Sequence, residues 1–386
     1  MTPSPAPATP PTTPVARLRN PGELLAALPY LIGFHPRDSL LFIAFGGSSG
    51  RRIELTQRVD LPGAADAPAV CRALAANTLR AAPTGVAVVV VGGDQVVAGG
   101  VPFGGPPPLG ELAAAAAEAL AAYGVPVQSR TWAAGTGAGA AWACYDGCGC
   151  RGAVPDAGET AFAATAVAAG LVARAGRADL EKVVAPTTPA RLRRRARMLT
   201  RAVDALDASG PGPGPGSPPG RADHAADAVP GDAEATGQAL IERALADAAA
   251  GRLHLDDERV VALALALSDL EVRDAALGRC AGPGTDLDGA EHLWAALVRE
   301  TPDPEAAEPA ALLAACALLR GDGALAGIAL DRAEQAWPGH RLSRLLRAVW
   351  AAGIPPERVR DCLNAPLPPT MPVPRVAGRS KRRTRR

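Results

Sequence analysis

Two stretches constrain this chain more than any others: SLLFIAF at residues 39–45 and VAVVVV at 86–91. Both are short, rich in branched apolar side chains, and almost free of polar residues. A strand of that kind must be covered on both faces, so helices have to lie above and below it. Helical patterns stand where such cover is needed, at 64–81 and 109–123, and further strands are predicted at 52–61, 125–132 and 141–145. The GGSSG loop between the first two strands suits a hairpin, which makes part of the sheet antiparallel. The expected fold is therefore an α/β domain over 17–206, a mixed sheet flanked by helices, with a Cys-bearing hairpin near 141–152. Its first helix should start at Asn20, with Asn as N-cap, Pro21 at N1 and Glu23 at N3. Leu24, Leu25 and Leu28 give it an apolar stripe, and Pro29 is expected to end it.

The stretch SGPGPGPGSPPGRADHAADAVPGD then interrupts all periodicity. It carries too much Gly and Pro to pack, so 207–233 reads as a linker. Beyond it, apolar stripes at helical spacing fill 234–364, which predicts an all-α second domain. One pair there is similar to a tetratricopeptide unit: Leu313, Ala314, Ala326, Leu330, Ala333 and Pro338 fall at that repeat's spacing around a Gly321-Asp322-Gly323 turn. The flanking segments do not repeat it, and an ordinary αα-hairpin explains the same residues. Residues 1–16 (Pro, Ala, Thr) and 365–386 (Pro, then basic) read as disordered tails. Two domains also suit a chain of 386 residues.

The chain balances 40 basic against 39 acidic residues, and only Lys182 and Lys381 are lysines. Arginine on that scale, beside so much Ala, Gly and Pro, is the usage of a high-GC genome and by itself weak evidence for phosphate chemistry. No apolar run is long enough to span a bilayer, and the N-terminus has no signal-peptide pattern, so a cytoplasmic protein is expected. Seven cysteines without an export signal argue against a disulfide scaffold. Cys71, Cys280, Cys316 and Cys362 stand singly in apolar contexts and read as small core residues.

The segment GFHPRDS places His35, Asp38 and Ser39 within five residues. These are the residue types of a hydrolytic triad, yet a base four residues from its nucleophile cannot easily stand between nucleophile and carboxylate. Ser39 also lacks a nucleophile elbow. A type I turn over 35–38 entering a strand, with Gly33 reversing the chain and Asp38 or Ser39 capping local N–H groups, explains every residue except His35. His35 thus remains a candidate acid–base or binding residue. Gly92-Gly93-Asp94 after the central strand matches no phosphate loop and reads as a turn.

The block RLRNPGELLAALPYLIGFHPRDSL at 17–40 resembles the N-terminal signature of an actinobacterial family known as domain of unknown function 4192. Further stretches resemble it in order: RVDLP at 58–62, Trp142 with Cys144, Cys148 and Cys150, WAALVR at 294–299, and LRGDGALA at 319–326. The AAGTGAGA run at 133–140 departs from it, since bulkier residues are expected there. The family carries no assigned activity, so the resemblance transfers no catalytic residue.

Cys144, Cys148 and Cys150 form a thiol-rich cluster. A zinc site would need a fourth ligand, with Asp146, Asp156, Cys71 or His35 as candidates; a redox pair and plain structural thiols are the alternatives. Arg191, Arg193, Arg194, Arg195, Arg197 and Arg201 share one predicted helix, and the last twelve residues, among them Arg382, Arg383, Arg385 and Arg386, add seven basic ones. Such clusters attract nucleic acid or acidic partners, although neither aromatic interleaving nor a DNA-binding spacing accompanies them. Three functional classes follow. The first is an interaction or regulatory module that meets a protein partner through the helical half. The second is an enzyme, metal-dependent in one version, with its site at His35 and the three cysteines. The third is a nonspecific nucleic-acid binder.

Overall fold

The computed structural model describes residues 18–93, 105–168, 173–208, 230–282 and 284–365. The expected tails (save Ala365), most of the expected linker, Asp94, and the arginines at 382, 383, 385 and 386 lie outside them.

Six strands form one sheet: β1 (Ser39–Gly46), β2 (Arg52–Asp60), β3 (Gly85–Val91), β4 (Val127–Ala133), β5 (Ala141–Cys144) and β6 (Arg151–Ala153). Their order is β2-β1-β3-β4-β5-β6, and every neighbouring pair is antiparallel except β3 and β4. The two apolar runs are therefore adjacent, with Phe42 opposite Val88. A parallel pair needs a crossover, and helix α3 (Gly110–Ala121) supplies it between β3 and β4.

Alternation along β1 and β3 divides the core in two. Leu40, Phe42, Ala44, Val86, Val88 and Val90 face α2 (Ala67–Thr78) and α3, where they meet Cys71, Leu74, Leu112, Ala116 and Leu120. Leu41, Ile43, Ala87, Val89 and Val91 face the other way, toward α1 (Pro21–Ile32) and its Leu24, Leu25 and Leu28. Fully burying a side chain of this size contributes about 1.5–3 kcal/mol, so the two stretches account for much of the sheet's stability.

Helix α1 starts as its sequence predicts, with the Asn20 carboxamide oxygen accepting the Glu23 N–H at 2.9 Å. It does not stop at Pro29. The helix continues to Ile32 and ends on Gly33 at φ 82, with Pro29 buried. Core packing of Leu28 and Ile32 outweighs the one backbone bond that proline cannot donate.

After α4 (Ala161–Ala168), α5 (Arg177–Val184) and α6 (Pro189–Ala208), every described element is helical: α7 (Pro230–Ala249), α8 (Asp257–Ser268), α9 (Leu270–Ala281), α10 (Leu287–Glu300), α11 (Ala307–Arg320), α12 (Gly323–Ala336), α13 (Arg341–Ala351) and α14 (Pro356–Asn364). Helices α5 and α9 have no counterpart among the expected segments, while β5 and β6 pair antiparallel as the expected Cys-bearing hairpin. Helix α11 is buried from Ala307 to Leu319, the pattern of a central helix, and α9, α10, α12, α13 and α14 surround it. It joins α12 through Gly321 at φ 79 and Asp322, whose carboxylate caps the Leu325 N–H at 2.9 Å.

The buried cluster on the α1 face of the sheet continues without a break into α10, α11 and α12. Direct contacts join the same parts. A Cβ on Gly33 would lie 3.3 Å from the Asp322 carboxylate, and Arg80 reaches the Ala351 carbonyl at 2.9 Å. Two stretches on which the family resemblance rests, the one at 17–40 and the one at 319–326, thus meet. Among the described residues no helix is long and apolar enough to cross a membrane.

Candidate functional site

The strand β5 ends at Cys144, and the six residues before β6 fold back over it. Gly147 and Gly149 adopt φ 68 and 71, the left-handed region that glycine enters without strain. Those two reversals return Cys148 and Cys150 to Cys144, whose N–H donates to the Cys150 carbonyl at 2.9 Å. Arg130 of β4 anchors the loop from below: its backbone N–H and Nε donate to the two Asp146 carboxylate oxygens at 2.9 and 2.7 Å. Tyr145 donates its hydroxyl to the Pro108 carbonyl at 2.5 Å.

The result is that the sulfurs of Cys144, Cys148 and Cys150 all lie within 4.8 Å of one another. Zinc–thiolate bonds of about 2.3 Å place sulfurs roughly 3.8 Å apart in a tetrahedral site, so small rotations would close this set on one ion. The three thiols differ electrostatically. Burial, then the neighbouring Cys148 thiol, pushes Cys144 up to about 12. Hydrogen bonds from the Cys150 thiol and backbone N–H hold Cys148 below the ordinary thiol range, and the same thiol contact raises Cys150. The N–H of Cys150 points at the Cys148 sulfur from 3.3 Å, the kind of contact that favours a thiolate.

None of the four expected fourth ligands joins them. Asp146 is engaged by Arg130, and Asp156 caps the Gly158 N–H at 2.8 Å. Cys71 is buried in the core on the α2 face. His35 stands elsewhere, with Nδ1 2.9 Å from the Thr136 hydroxyl. Cys148 and Cys150 are exposed, so a fourth coordination position there would face solvent.

The segment around His35 sits at the carboxyl ends of the parallel pair, since Ser39 is opposite Val91. Residues 35–37 form no turn; Gly33 and Asp38, at φ 82 and 42, redirect the chain instead. The expected local caps are long-range ones. Asp38 accepts the N–H of Gly93 at 2.9 Å, and a Cβ on Gly92 would meet that carboxylate at 2.5 Å. Ser39 is fully buried; its hydroxyl donates to the Arg37 carbonyl at 2.6 Å and accepts from Arg58 Nε at 2.8 Å. His35 donates its backbone N–H to the Arg174 carbonyl at 3.0 Å. Burial, then the Arg37 cation, holds its imidazole below the ordinary histidine range. The three triad-type side chains thus have three different partners.

Three of the helix-α6 arginines form ion pairs within the protein, and of these only Arg195 is buried. Arg195 is fully buried, donates from Nε to Asp257 at 2.8 Å, and pairs with the Glu300 carboxylate and carbonyl. Arg194 reaches Asp257 at 2.8 Å and Arg191 lies 3.5 Å from Glu300. Arg193, Arg197 and Arg201 are exposed. Sequence reasoning missed Thr136, Arg174 and Asp322, the residues that surround the His35 segment. Each is remote in sequence from it, and Thr136 lies within the small-residue run at 133–140, which carries no local signal.

A mixed six-stranded sheet with a thiol-bearing edge hairpin, backed by a helical C-terminal half, defines the class of this protein. More specifically, the profile of the family described as Domain of unknown function (DUF4192) matches residues 21–357, and the chain belongs to that family. No curated protein and no solved structure matches it.

Proposed function

We propose that this is a metal-dependent interaction or regulatory module of the cytoplasm, in which Cys144, Cys148 and Cys150 hold one thiophilic ion such as zinc. The observation that carries the reading is the approach of the three sulfurs to within 4.8 Å on a loop fixed from below by Arg130. An exposed site with three protein thiolates leaves its fourth position to water or to a partner's side chain. The free state of all seven cysteines suits a reducing compartment. The partner half of the reading rests on exposed apolar side chains in the C-terminal helices, Trp337, Leu345 and Trp350. The enzyme alternative has less support, because His35 is turned to Thr136 and does not reach the thiols.

The test is a titration of the reduced full-length protein with cadmium, followed by thiolate-to-metal charge-transfer absorption. One ion per chain is expected, and cadmium should displace zinc bound beforehand. Cys144→Ser, Cys148→Ser and Cys150→Ser should each weaken binding, while Cys362→Ser, at an exposed thiol elsewhere, leaves it unchanged. Binding that survives all three serines together, or no binding by the wild type, refutes the proposal.

A further inference from the structure

A second thiol group lies far from the first in sequence and is of a different kind. Cys280 near the end of α9 and Cys316 in α11 place their sulfurs 3.5 Å apart, with the Cys316 thiol donating to Cys280. Both are buried. The Cys280 thiol in turn donates to the Ala276 carbonyl at 3.3 Å, a proton it gives up when it ionises. The indole N–H of Trp294, fully buried on α10, has no hydrogen-bond partner among the described residues. Cys280, but not Cys316, lines an open cavity of about 420 Å³ between α7, α9 and α10. Its walls include Leu245, Ala246, Ala249 and Ala290, with Arg279 and Asp286 also lining it. Cys280 thus borders the cavity, and the Cys316 sulfur lies 3.5 Å from its own.

We propose that Cys280 and Cys316 are a peroxide-reactive thiol pair, with Cys280 as the attacking sulfur, Cys316 as the resolving one, and a small hydroperoxide as the co-substrate that enters the cavity. The Cys280 thiolate attacks one peroxide oxygen and the O–O bond breaks. The sulfur becomes a sulfenic acid, and the other oxygen leaves as hydroxide or alkoxide and takes up a proton. Cys316 then attacks the Cys280 sulfur, the S–O bond breaks, and the Cys316 proton leaves with the hydroxyl as water. In sum two thiols and one hydroperoxide give one disulfide, one alcohol or water, and one water; the thiols lose two electrons and the peroxide gains them. The sulfurs must approach by about 1.5 Å to reach a disulfide bond length of about 2.05 Å. Two electrostatic features suit these roles. The hydrogen bond from the Cys316 thiol lowers the Cys280 thiol against the opposing effect of burial, whereas the contact with Cys280 and then burial keep Cys316 protonated. The proposal does not depend on metal at the exposed cysteines.

The test treats reduced full-length protein with hydrogen peroxide, blocks free thiols by alkylation and digests at arginine. Cleavage after Arg279, Arg299 and Arg320 puts Cys280 and Cys316 on two neighbouring peptides with one cysteine each. The expected product is that peptide pair joined by a disulfide and released by dithiothreitol. In Cys316→Ser, dimedone should label Cys280; in Cys280→Ser, Cys316 should stay unlabelled. Ala246→Trp, at an exposed cavity residue, narrows the entrance and should slow cross-linking at least about tenfold. The wild-type cross-link remains decisive if a serine variant fails to fold. Peroxide that oxidises Cys148 and Cys150 but leaves the pair reduced overturns the proposal, as does a cross-link that forms only in urea. An unchanged rate in Ala246→Trp overturns the cavity as the route of entry.

Discussion

Replacing Arg195 by methionine tests how helix α6 is held. The guanidinium is fully buried and joins three helices: it sits on α6, and its partners are Asp257 at the start of α8 and Glu300 at the end of α10. Methionine fills much of the volume but leaves two carboxylates, 13% and 18% exposed, without their shared cation. Removing one partner from a buried ion pair typically costs about 3–5 kcal/mol, because the remaining charge stays desolvated. Each carboxylate keeps a half-exposed arginine, Arg194 on Asp257 and Arg191 on Glu300, so the lower end applies, about 3 kcal/mol. In thermal melts that is a fall of about 5 °C for a folded unit of this size. With a urea slope near 3 kcal/mol/M, the midpoint should drop by about 1 M. Arg193→Ala and Arg197→Ala, at exposed sites on the same helix, should stay within about 0.5 kcal/mol. The triple variant Arg195→Met, Asp257→Asn, Glu300→Gln should recover part of the loss, since no buried charge is then left unmatched. An Arg195→Met protein that melts within about 2 °C of wild type, or no lower than the Arg193→Ala protein, would falsify the reasoning.

Other expectations are briefer. Gly92→Ala should destabilise by about 2 kcal/mol or more, from a left-handed φ of 80 and a Cβ 2.5 Å from the Asp38 carboxylate and 2.9 Å from the Asp38 backbone nitrogen; Asp38→Ala in the same chain should recover only a minor part, since the backbone clash and strain remain, as urea midpoints would show. His35 has a folded-state pKa below its unfolded value, so the unfolded chain binds more protons in the interval just under about pH 6.5. Stability should therefore rise with pH through that interval and fall on acidification; thermal melts of wild type and His35→Gln across it would differ in slope, and equal slopes would refute the assignment. Cadmium or zinc affinity should increase steeply with pH, because binding releases protons from three thiols, one of them pushed up to about 12; a pH-independent affinity would exclude the three-thiolate site. Asp322→Ala removes the cap of α12 and should cost about 1 kcal/mol in a denaturant titration.

The sheet was legible because its two central strands carry their own proof. No amphipathic arrangement accommodates residues 39–45 or 86–91, so burial on both faces follows from the sequence alone. The start of α1 was equally legible, since a cap is a local matter of Asn20 and the N–H of Glu23. The passage of α1 through Pro29 was not, because the gain comes from Leu28 and Ile32 packing against residues distant in the chain. Helix α9 escaped notice for a similar reason. LEVRDAALGRCA has a weak stripe, and only Val272, Ala276, Cys280 and Ala281 are buried along it. The cluster of Cys144, Cys148 and Cys150 was visible because close spacing and two glycines force proximity. The pair Cys280 and Cys316 was not, because 36 residues separate them and only the packing of α9 on α11 joins them. Cys362, expected in the core, is exposed on α14. The three partners of Asp38, Ser39 and His35 likewise arise from tertiary structure rather than from the turn their sequence suggests.

The buried cluster that runs from the α1 face of the sheet into α10, α11 and α12 bears on how the chain can be divided. Residues 18–208 expressed alone would present Leu180 and Val184 of α5 to water, and residues 230–365 would present the faces of α10 and α12 that pack on α5. Each fragment would be sticky in isolation. Mixed, they should reassociate by complementation, with Arg195 on one fragment closing on Asp257 and Glu300 of the other. A protease cut between 208 and 230 should therefore give two bands on a denaturing gel and one species in gel filtration.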